Sequence, residues 1–462
     1  MEGLIMAGQL ILGLSILVTL HEFGHYITAK WFKMRVEKFY LFFDFLFPVP
    51  SLLKFALFKK KIGDTEYGLG WFPLGGYVSI AGMIDETQDA DQLAKTPEPW
   101  EFRAKPAWQR LIVMLGGVIV NVITGVVIFI CLTYNNGENF ISKNELNKNG
   151  IVALELGQSL GLKTGDKIIK VNGKDYEQLS DLRSPDVLLG DNSSYTVLRD
   201  GKELLIKIPS NFIEKLSDKK AAFIEPISAF KIGEVAAPEA PGSSLFGSQP
   251  AQELLPAYSA GLKVGDFVTG INNQPIHFYH ELREALKKEA GNPIKLAINR
   301  NGKADTLEMT VNKEGKIGIF PELLIQIDHK DFTLSESVTL GTSRAFSVIS
   351  DNIRGFKKIA TGDVSASKAL SGPIGIAQMF GGVWDWTRFW TLTGLLSMAL
   401  AFMNVLPIPA LDGGHAIFLL YEMITGKPAS EKVLERAQQI GMMILLALMA
   451  YTFGNDIFKA LF

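Results

Sequence analysis

The chain has 462 residues, which is too long for one ordinary domain and suggests three or four structural units. Its hydrophobic fraction of 47% is high for a soluble protein, and the excess lies at the two ends of the chain. A formal net charge of −2 gives no reason to expect nucleic acid as a partner. The single cysteine, Cys131, excludes a disulfide framework and a thiolate metal cluster.

The first apolar run ends in the sequence His21-Glu22-Phe23-Gly24-His25, an H-E-x-x-H pattern. On a helix the two histidines are four residues apart, so both imidazoles project from one face and can share a metal ion. Glu22 lies beside them, within reach of a metal-bound water. Because Leu10 to Leu20 is apolar apart from two hydroxyl residues, we expect the site inside or at the edge of a membrane. The alternative is structural, with the histidines merely lying at a helix end, but ionisable groups at membrane depth are usually functional.

Four apolar stretches are predicted to be transmembrane helices, which would put both termini on the same side of the membrane. They are Leu4 to His25, Leu111 to Thr133, Phe389 to Val405 and Ile440 to Phe453. Lysines and arginines are concentrated between the first and second spans and again between the third and fourth. By the positive-inside rule both of these loops are cytoplasmic, and the long 134–388 segment faces out.

The first cytoplasmic loop contains an aromatic-rich segment, Phe39 to Phe58, that is interrupted by charged residues and prolines. We interpret it as re-entrant or interfacial. Thr65 to Met83 then predicts paired strands, with turn signals at Gly68, Gly70 and the Pro73–Gly76 sequence. An exposed strand edge there could pair with an extended substrate, although an ordinary cytoplasmic hairpin explains the pattern equally well. Met83 to Pro106 is polar and predicts a surface loop.

The segment between the second and third spans contains an internal repeat. Residues 161–173 match residues 261–273 at a spacing of one hundred residues. Each copy has a Gly-Asp turn, an alternating strand and a second turn, which favours a duplicated strand-rich domain of about ninety residues. The Pro-, Gly- and Ser-rich segment Ala236 to Ala251 predicts a loop within or beside the second copy.

Leu334 to Ile359 has helical periodicity, with Phe346, Ile349, Ile353 and Phe356 on one face. Such a helix could lie on the outer membrane surface or pack against the repeats. The Ser371–Gly375 sequence then breaks the chain before the third span.

A catalytic zinc site usually has three protein ligands, and the segment after the third span offers candidates for the third. Pro407 and Pro409 must interrupt the helix, so Asp412 is presented on unwound chain at the depth predicted for the histidines. His415 is the rival ligand, and we favour Asp412. Asn404 is placed to hydrogen-bond substrate backbone or an oxyanion, unless it only bonds a neighbouring helix.

The chain resembles the site-2 protease family of intramembrane zinc metalloproteases. The resemblance spans nearly the whole length and rests on the following motifs: His21 to His25, Pro73 to Tyr77, Gly116 to Asn121, Ser371 to Gly375, and Asn404 to His415. It implies a multi-domain membrane protein with an α-helical four-span domain and a membrane-associated β-hairpin or sheet. Two tandem PDZ-like mixed α/β domains would be inserted between spans 2 and 3. The expected boundaries are 1–136, 137–228, 229–325, 326–388 and 389–462.

The resemblance also implies roles for single residues. His21, His25 and Asp412 would hold Zn²⁺, Glu22 would be the general base and Asn404 would contact substrate. The hairpin at Gly68, Gly70 and Tyr77 would clamp unwound substrate.

The partners implied are the lipid bilayer and single-span membrane proteins already trimmed outside, such as anti-sigma factors of the sigma-E type and signal-peptide remnants. We expect a monomer in the bacterial inner membrane, with both termini and the PDZ-like domains periplasmic and the site towards the cytoplasm. The first repeat lacks a clear ligand-binding loop at Gly157 to Leu160, so a steric filter is as good a role for it as peptide binding.

Two other classes of function account for part of the sequence. A PDZ-bearing membrane scaffold without proteolytic activity explains the repeats but leaves the His-Glu motif and the Asp412 segment without purpose. A metal transporter would need ionisable residues along several spans, whereas here they gather at one depth.

Overall fold

The computed structural model describes residues 2–46, 53–73, 75–83, 96–219, 222–236 and 256–461. The chain forms two compact units, which we call the helical unit (Met1–Glu138 with Lys330–Phe462) and the inserted unit (Asn139–His329). Residue 74 of the predicted Pro73–Gly76 turn and parts of three longer predicted segments lie outside the described residues. The parts of the longer segments are residues 47–52 of the re-entrant segment, 84–95 of the polar loop and 237–251 of the Pro- and Gly-rich loop.

The helical unit begins with a long helix, four strands and a second long helix. These are α1 (Glu2–Trp31), β1 (Val36–Leu41), β2 (Ala56–Ile62), β3 (Thr65–Gly70), β4 (Tyr77–Ile80), a 3₁₀ turn (Phe102–Ala104) and α2 (Ala107–Asn136).

The first half of the inserted unit contains β5 (Glu138–Phe140), α3 (Lys143–Asn149), β6 (Ile151–Ala153), α4 (Glu155–Ser159), β7 (Lys167–Val171), a 3₁₀ turn (Leu179–Arg183), α5 (Pro185–Leu188), β8 (Ser194–Arg199), β9 (Lys202–Lys207), α6 (Phe212–Lys219) and β10 (Ile224–Pro226). The second half contains β11 (Phe230–Val235), α7 (Pro256–Ser259), β12 (Phe267–Ile271), β13 (Gln274–Pro275), α8 (Tyr279–Lys288), β14 (Pro293–Arg300), β15 (Lys303–Thr310), β16 (Ile319–Leu323) and β17 (Asp328–Lys330).

The two halves of the inserted unit have separate hydrophobic cores, one from Leu146 to Ile224 and one from Phe230 to Ile317. The same buried ion pair follows the Gly-Asp turn in each half. Asp166 binds Arg199 Nε at 2.7 Å, and Asp266 binds Arg300 Nε at 2.7 Å. The halves therefore share local structure at equivalent positions, as the sequence repeat indicates.

The helical unit resumes after the inserted unit with six helices. These are α9 (Leu334–Ala360), α10 (Ala366–Ala369), α11 (Pro373–Phe380), α12 (Trp386–Val405), α13 (Asp412–Thr425) and α14 (Glu431–Leu461).

Three of the described helices are long and apolar enough to cross a membrane: Glu2–Trp31, Ala107–Asn136 and Lys432–Lys459. They contain the first, second and fourth predicted spans. The third predicted span forms α12, a helix of 20 residues that is not among these three. The count of four spans therefore stays a prediction.

Helices α1 and α2 pack with their backbones in contact. A Cβ added to Gly24 would collide with the Gly116 carbonyl, and one added to Gly116 would lie 2.6 Å from the Gly24 carbonyl oxygen. Helix α12 packs on the same α2 helix, where Ser397 Oγ donates to the Asn121 carbonyl at 2.8 Å. These close approaches bring residues of α1, α2 and α12 to one place.

The strands of the helical unit form one sheet with the order β2-β3-β1-β4. The prediction that the strands of Thr65 to Met83 pair with each other is wrong, because β1 lies between β3 and β4. Gly68 and Gly70 lie in β3 rather than in a turn. A Cβ at Gly68 would collide with the Tyr40 ring, and one at Gly70 with the Phe43 carbonyl. These glycines serve close packing of the sheet.

Helix α9 packs against α2 and α12. Its contact face is formed by small residues: Ser337, Gly341 and Ala345 are buried, and a Cβ on Gly341 would lie 2.6 Å from the Ile130 Cα. Phe346 and Ile353, on the apolar face that the sequence predicts to meet the membrane surface or the repeats, are 50% and 54% exposed. The small residues decide the position because they allow the helix backbones to approach closely.

Candidate metal centre

The side chains of the two histidines of α1 converge, with their Nε2 atoms close together. His21 Nε2 and His25 Nε2 are 3.3 Å apart, and their rings meet edge to face. His25 Nδ1 lies 2.9 Å from the Val113 carbonyl of α2, so Nδ1 donates its hydrogen there. The lone pair of the other ring nitrogen, Nε2, is then directed towards His21. Gly117 lets α2 lie against the imidazoles, because a Cβ there would be 2.5 Å from His25 Nε2.

Asp412 reaches the same point from the other end of the chain. Helix α12 ends at Val405, and Asp412 is the first residue of α13. The connecting loop turns tightly, since Ala410 has a φ of 86° and a Cβ on Gly414 would lie 2.6 Å from the Pro409 Cα. Asp412 Oδ2 lies 3.2 Å from His21 Nε2 and 3.5 Å from His25 Nε2.

The three groups fit a zinc ion. Their ligand atoms lie within 4.8 Å of one another and are separated pairwise by 3.2 to 3.5 Å. Ligands at bond lengths of about 2.0–2.1 Å in a tetrahedron are about 3.3 Å apart, so the separations match one face of such a site. Two imidazoles and a carboxylate are also a donor set that zinc accepts. A fourth position would face the cavity described next.

A cavity of about 320 Å³ opens beside this cluster. It is lined by polar groups of α1 and α13, by strand β4 and by apolar side chains of α14. The main lining residues are His21, Glu22, His25, Tyr77, Val78, Ile80, Asp412, His415, Met442 and Leu445. The cluster therefore faces a space large enough for a short stretch of extended peptide.

Glu22 lines the cavity without belonging to the three-residue cluster. The Val78 backbone N–H of β4 donates a hydrogen bond to its carboxylate. Glu22 thus lies beside the possible metal position and is tied to the neighbouring strand.

His415, the rival ligand, lines the same cavity but is not part of the cluster. It follows Asp412 by three residues on α13 and also borders a smaller cavity of about 120 Å³. Among the described residues, the group of potential ligands contains Asp412 and not His415.

The residues expected to contact substrate are divided between two places. Asn404 Nδ2 lies 3.4 Å from His21 Nε2, so this amide is brought to the cluster. Tyr77 lines the cavity and donates to Asp44 Oδ1 at 3.0 Å. Burial raises the pKa of the Tyr77 hydroxyl, and the Asp44 carboxylate raises it further, so this hydroxyl stays protonated. Gly68 and Gly70 are not among the described residues that line the cavity.

Helix α2 supplies two contacts that the sequence did not predict. They are the Val113 carbonyl beside His25 and the Asn121 side chain beside His21. Asn121 could have been noticed as a polar residue in an otherwise apolar span, whereas no sequence signal identifies a backbone carbonyl.

Comparisons with known proteins agree on one family. The sequence model of the family described as Peptidase family M50 matches residues 9–448. The chain is 27% identical to the "Regulator of sigma-E protease RseP" of Salmonella typhimurium over 467 residues, covering 96% of this chain and 97% of that protein. It is 26% identical to the "Regulator of sigma E protease" of Haemophilus influenzae, covering 98% of each chain. It is 27% identical to a "Putative zinc metalloprotease" of Neisseria meningitidis, again covering 98% of each.

Proposed function

Because this chain belongs to peptidase family M50, we propose that His21, His25 and Asp412 hold its zinc ion and that Glu22 is its general base. Its family and its relatives make the chain a site-2 zinc metalloprotease. The observation that carries the residue assignment is the spacing of 3.2 to 3.5 Å between the three ligand atoms. Favouring Asp412 over His415 rests on the same spacing.

The zinc ion, Glu22 and Asn404 each have a task in peptide hydrolysis. Bound zinc supplies Lewis-acid activation of a carbonyl and of water. Glu22 accepts the proton of the attacking water and delivers it to the departing amine. The Asn404 amide donates a hydrogen bond to the substrate backbone or to the oxyanion that develops in the transition state.

Extended substrate is proposed to bind along β4. A peptide bond within a helix is hydrogen-bonded and shielded, so a transmembrane segment must unwind before it is cut. Strand β4 is an edge of the described sheet, and Tyr77, Val78 and Ile80 line the cavity beside Glu22. Addition of the substrate as a further strand would stabilise the extended form next to the catalytic groups.

The substrates are membrane proteins, and we propose that they are single-span segments already trimmed outside. The names of two relatives, each a regulator of sigma E protease, support anti-sigma factors as one class, and signal-peptide remnants are another. We also propose that the chain is a monomer that crosses the inner membrane four times, with the cluster towards the cytoplasm. The two halves of the inserted unit would be PDZ-like periplasmic domains that exclude bulky ectodomains.

A scaffold without proteolytic activity is not favoured. It assigns no purpose to Glu22 or to the cluster beside it, whereas peptide hydrolysis uses Glu22, the cluster and Asn404.

The test is cleavage of a single-span reporter by the purified full-length chain in lipid nanodiscs. Wild type should cut within the span, and Glu22→Gln should bind one zinc ion per chain without cutting. Glu2→Gln, at the other end of α1, is the matched control and should cut normally. Full activity of Glu22→Gln would contradict the assignment of the base. A second reporter with a large folded ectodomain should resist cleavage, and equal rates for both reporters would contradict the filter.

A further inference from the structure

Asn121 has no role in the function proposed so far, yet its side chain is fully buried beside the cluster. Its amide Nδ2 lies 3.2 Å from His21 Nδ1, and its other amide atom, Oδ1, is buried without a hydrogen-bond partner among the described residues. Burying an amide inside an apolar helix bundle costs free energy unless the amide forms hydrogen bonds there. The only partner of this amide in the described part of the chain is thus an imidazole of the cluster.

The neighbouring histidine indicates what such a partner does. His25 Nδ1 lies 2.9 Å from the Val113 carbonyl, and a carbonyl oxygen can only accept a hydrogen bond. The hydrogen of neutral His25 is therefore on Nδ1, and Nε2 presents a lone pair towards His21 and Asp412. A hydrogen bond of this kind fixes the tautomer and the ring orientation of a metal-binding histidine.

His21 must also carry its ring hydrogen on Nδ1 if its Nε2 is to bind zinc. Its Nε2 faces Asp412 and His25, so the ring hydrogen has to be on Nδ1, where an acceptor is required. The group at that position is the Asn121 amide. The oxygen and nitrogen of an amide are nearly identical in shape, so their assignment follows from the hydrogen-bond network. Zinc binding by His21 requires the oxygen to face Nδ1.

We propose that Asn121 is a positioning residue whose amide oxygen accepts the Nδ1 hydrogen of His21 and so directs Nε2 towards the metal. This inference rests on the proposed function. Val113 and Asn121 are eight residues apart on α2, a little over two turns, and each lies beside the Nδ1 atom of one histidine of α1. One helix thus orients both imidazoles.

A merely structural role for Asn121 predicts something different. The contact of Asn121 with α12 is made by its backbone carbonyl, which accepts from Ser397 Oγ and survives any side-chain substitution. If the side chain only filled space, a leucine, which has the same branching and the same number of heavy atoms, would preserve the site. If its oxygen orients His21, leucine should fail and aspartate, which keeps an acceptor at that position, should succeed.

The test measures zinc affinity of the full-length chain by chelator competition, together with the absorption spectrum of the Co²⁺-substituted protein. Asn121→Leu should weaken zinc binding about 10–100-fold and alter the Co²⁺ spectrum. Asn121→Asp should restore both towards wild type. Asn121→Ala should behave like Asn121→Leu, and it replaces that variant if leucine prevents folding. Ser397→Ala, which removes a hydrogen bond from the same interface, is the control and should bind zinc normally.

Two outcomes would overturn the inference, and they are distinguishable from failure of the proposed function. Wild-type affinity in both Asn121→Leu and Asn121→Ala would show that the amide does not orient His21. An Asn121→Asp variant as weak as Asn121→Leu would show that an acceptor is not what the site needs. A wild-type chain that binds no zinc would instead contradict the proposed function, and this inference with it.

Discussion

Gly441 lies directly against the backbone carbonyl of Pro409, and this contact connects the last helix to the loop that leads to Asp412. A Cβ added to Gly441 would overlap the Pro409 carbonyl oxygen and lie 3.0 Å from its Cα. The loop is already constrained, because Ala410 adopts a φ of 86° that non-glycine residues rarely adopt. Helix α14 therefore helps to set the position of the carboxylate that completes the cluster.

Gly441→Val should displace the Pro409 loop and Asp412 with it. A shift of about 1 Å in a catalytic group can lower activity about 100-fold, so we expect a loss of that order with weakened zinc binding. Reporter cleavage and zinc content measure the two effects. Gly454→Val on the same helix is the matched control, because a Cβ there meets nothing within 4 Å. Equal activity of the two variants would contradict the role given to the Gly441 contact.

The contact between α1 and α2 leads to a second prediction. A side chain at position 24 has no room, since its Cβ would collide with the Gly116 carbonyl. Gly24→Val should destabilise the protein by about 1–3 kcal/mol or more, as overpacked cores do, and should lower the thermal unfolding midpoint in detergent. Gly8→Val lies on the same helix in open space and should leave the midpoint unchanged. A midpoint for Gly24→Val equal to that of Gly8→Val would be inconsistent with the observed packing.

A third prediction concerns the buried ion pair in the second half of the inserted unit. Burial would raise the pKa of Asp266, but hydrogen bonds from Arg300 and from the Lys263 backbone outweigh it and hold the pKa below its ordinary value. The unfolded chain, with a pKa of about 3.9, then binds the proton more tightly. The stability that Asp266 contributes is complete above about pH 4 and is lost as the pH falls through the lowered pKa.

Arg300→Ala should reverse this pH dependence at Asp266. Without the guanidinium, burial dominates and disfavours the charged form of Asp266. The free energy of unfolding of Arg300→Ala should therefore fall furthest below that of wild type near neutral pH, and the gap should narrow as the pH is lowered. Hydrogen exchange measured by mass spectrometry should show faster exchange across β12 to β15 at pH 7. Lys295→Ala, which removes an exposed pair with Glu308, should change little. If Arg300→Ala and wild type differed in free energy of unfolding by the same amount from pH 7 to pH 4, the role given to Arg300 would be contradicted.

The sequence was sufficient to predict the elements whose signals are local. The spacing of His21 and His25 follows from helix periodicity, and the apolar runs predict α1, α2, α12 and α14. Pro407 and Pro409 lie in the loop that separates two helices, as the sequence predicts. The expectation that Asp412 lies on unwound chain is wrong, because Asp412 is already the first residue of the next helix. Its approach to the histidines could be predicted because a zinc site needs a third ligand at the same depth.

Features that depend on partners distant in sequence could not be predicted in the same way. The strands of Thr65 to Met83 carry the correct strand signals, but nothing in them shows that β1 lies between them. In the α9 sequence the large apolar residues give the stronger helical periodicity, but the face of small residues around Gly341 is the one that packs against α2. Gly68 and Gly70 resemble turn residues, and only the Tyr40 ring and the Phe43 carbonyl explain why glycine is needed.

The most direct test of the central claim is the zinc content of Asp412→Ala and His415→Ala, purified as full-length chains and measured by elemental analysis. Both residues lie on α13 and line the same cavity, so the two variants are closely matched. We expect about one zinc ion per chain in wild type and in His415→Ala, and a large loss in Asp412→Ala. Retention of stoichiometric zinc by Asp412→Ala, with its loss in His415→Ala, would contradict the assignment of the third ligand.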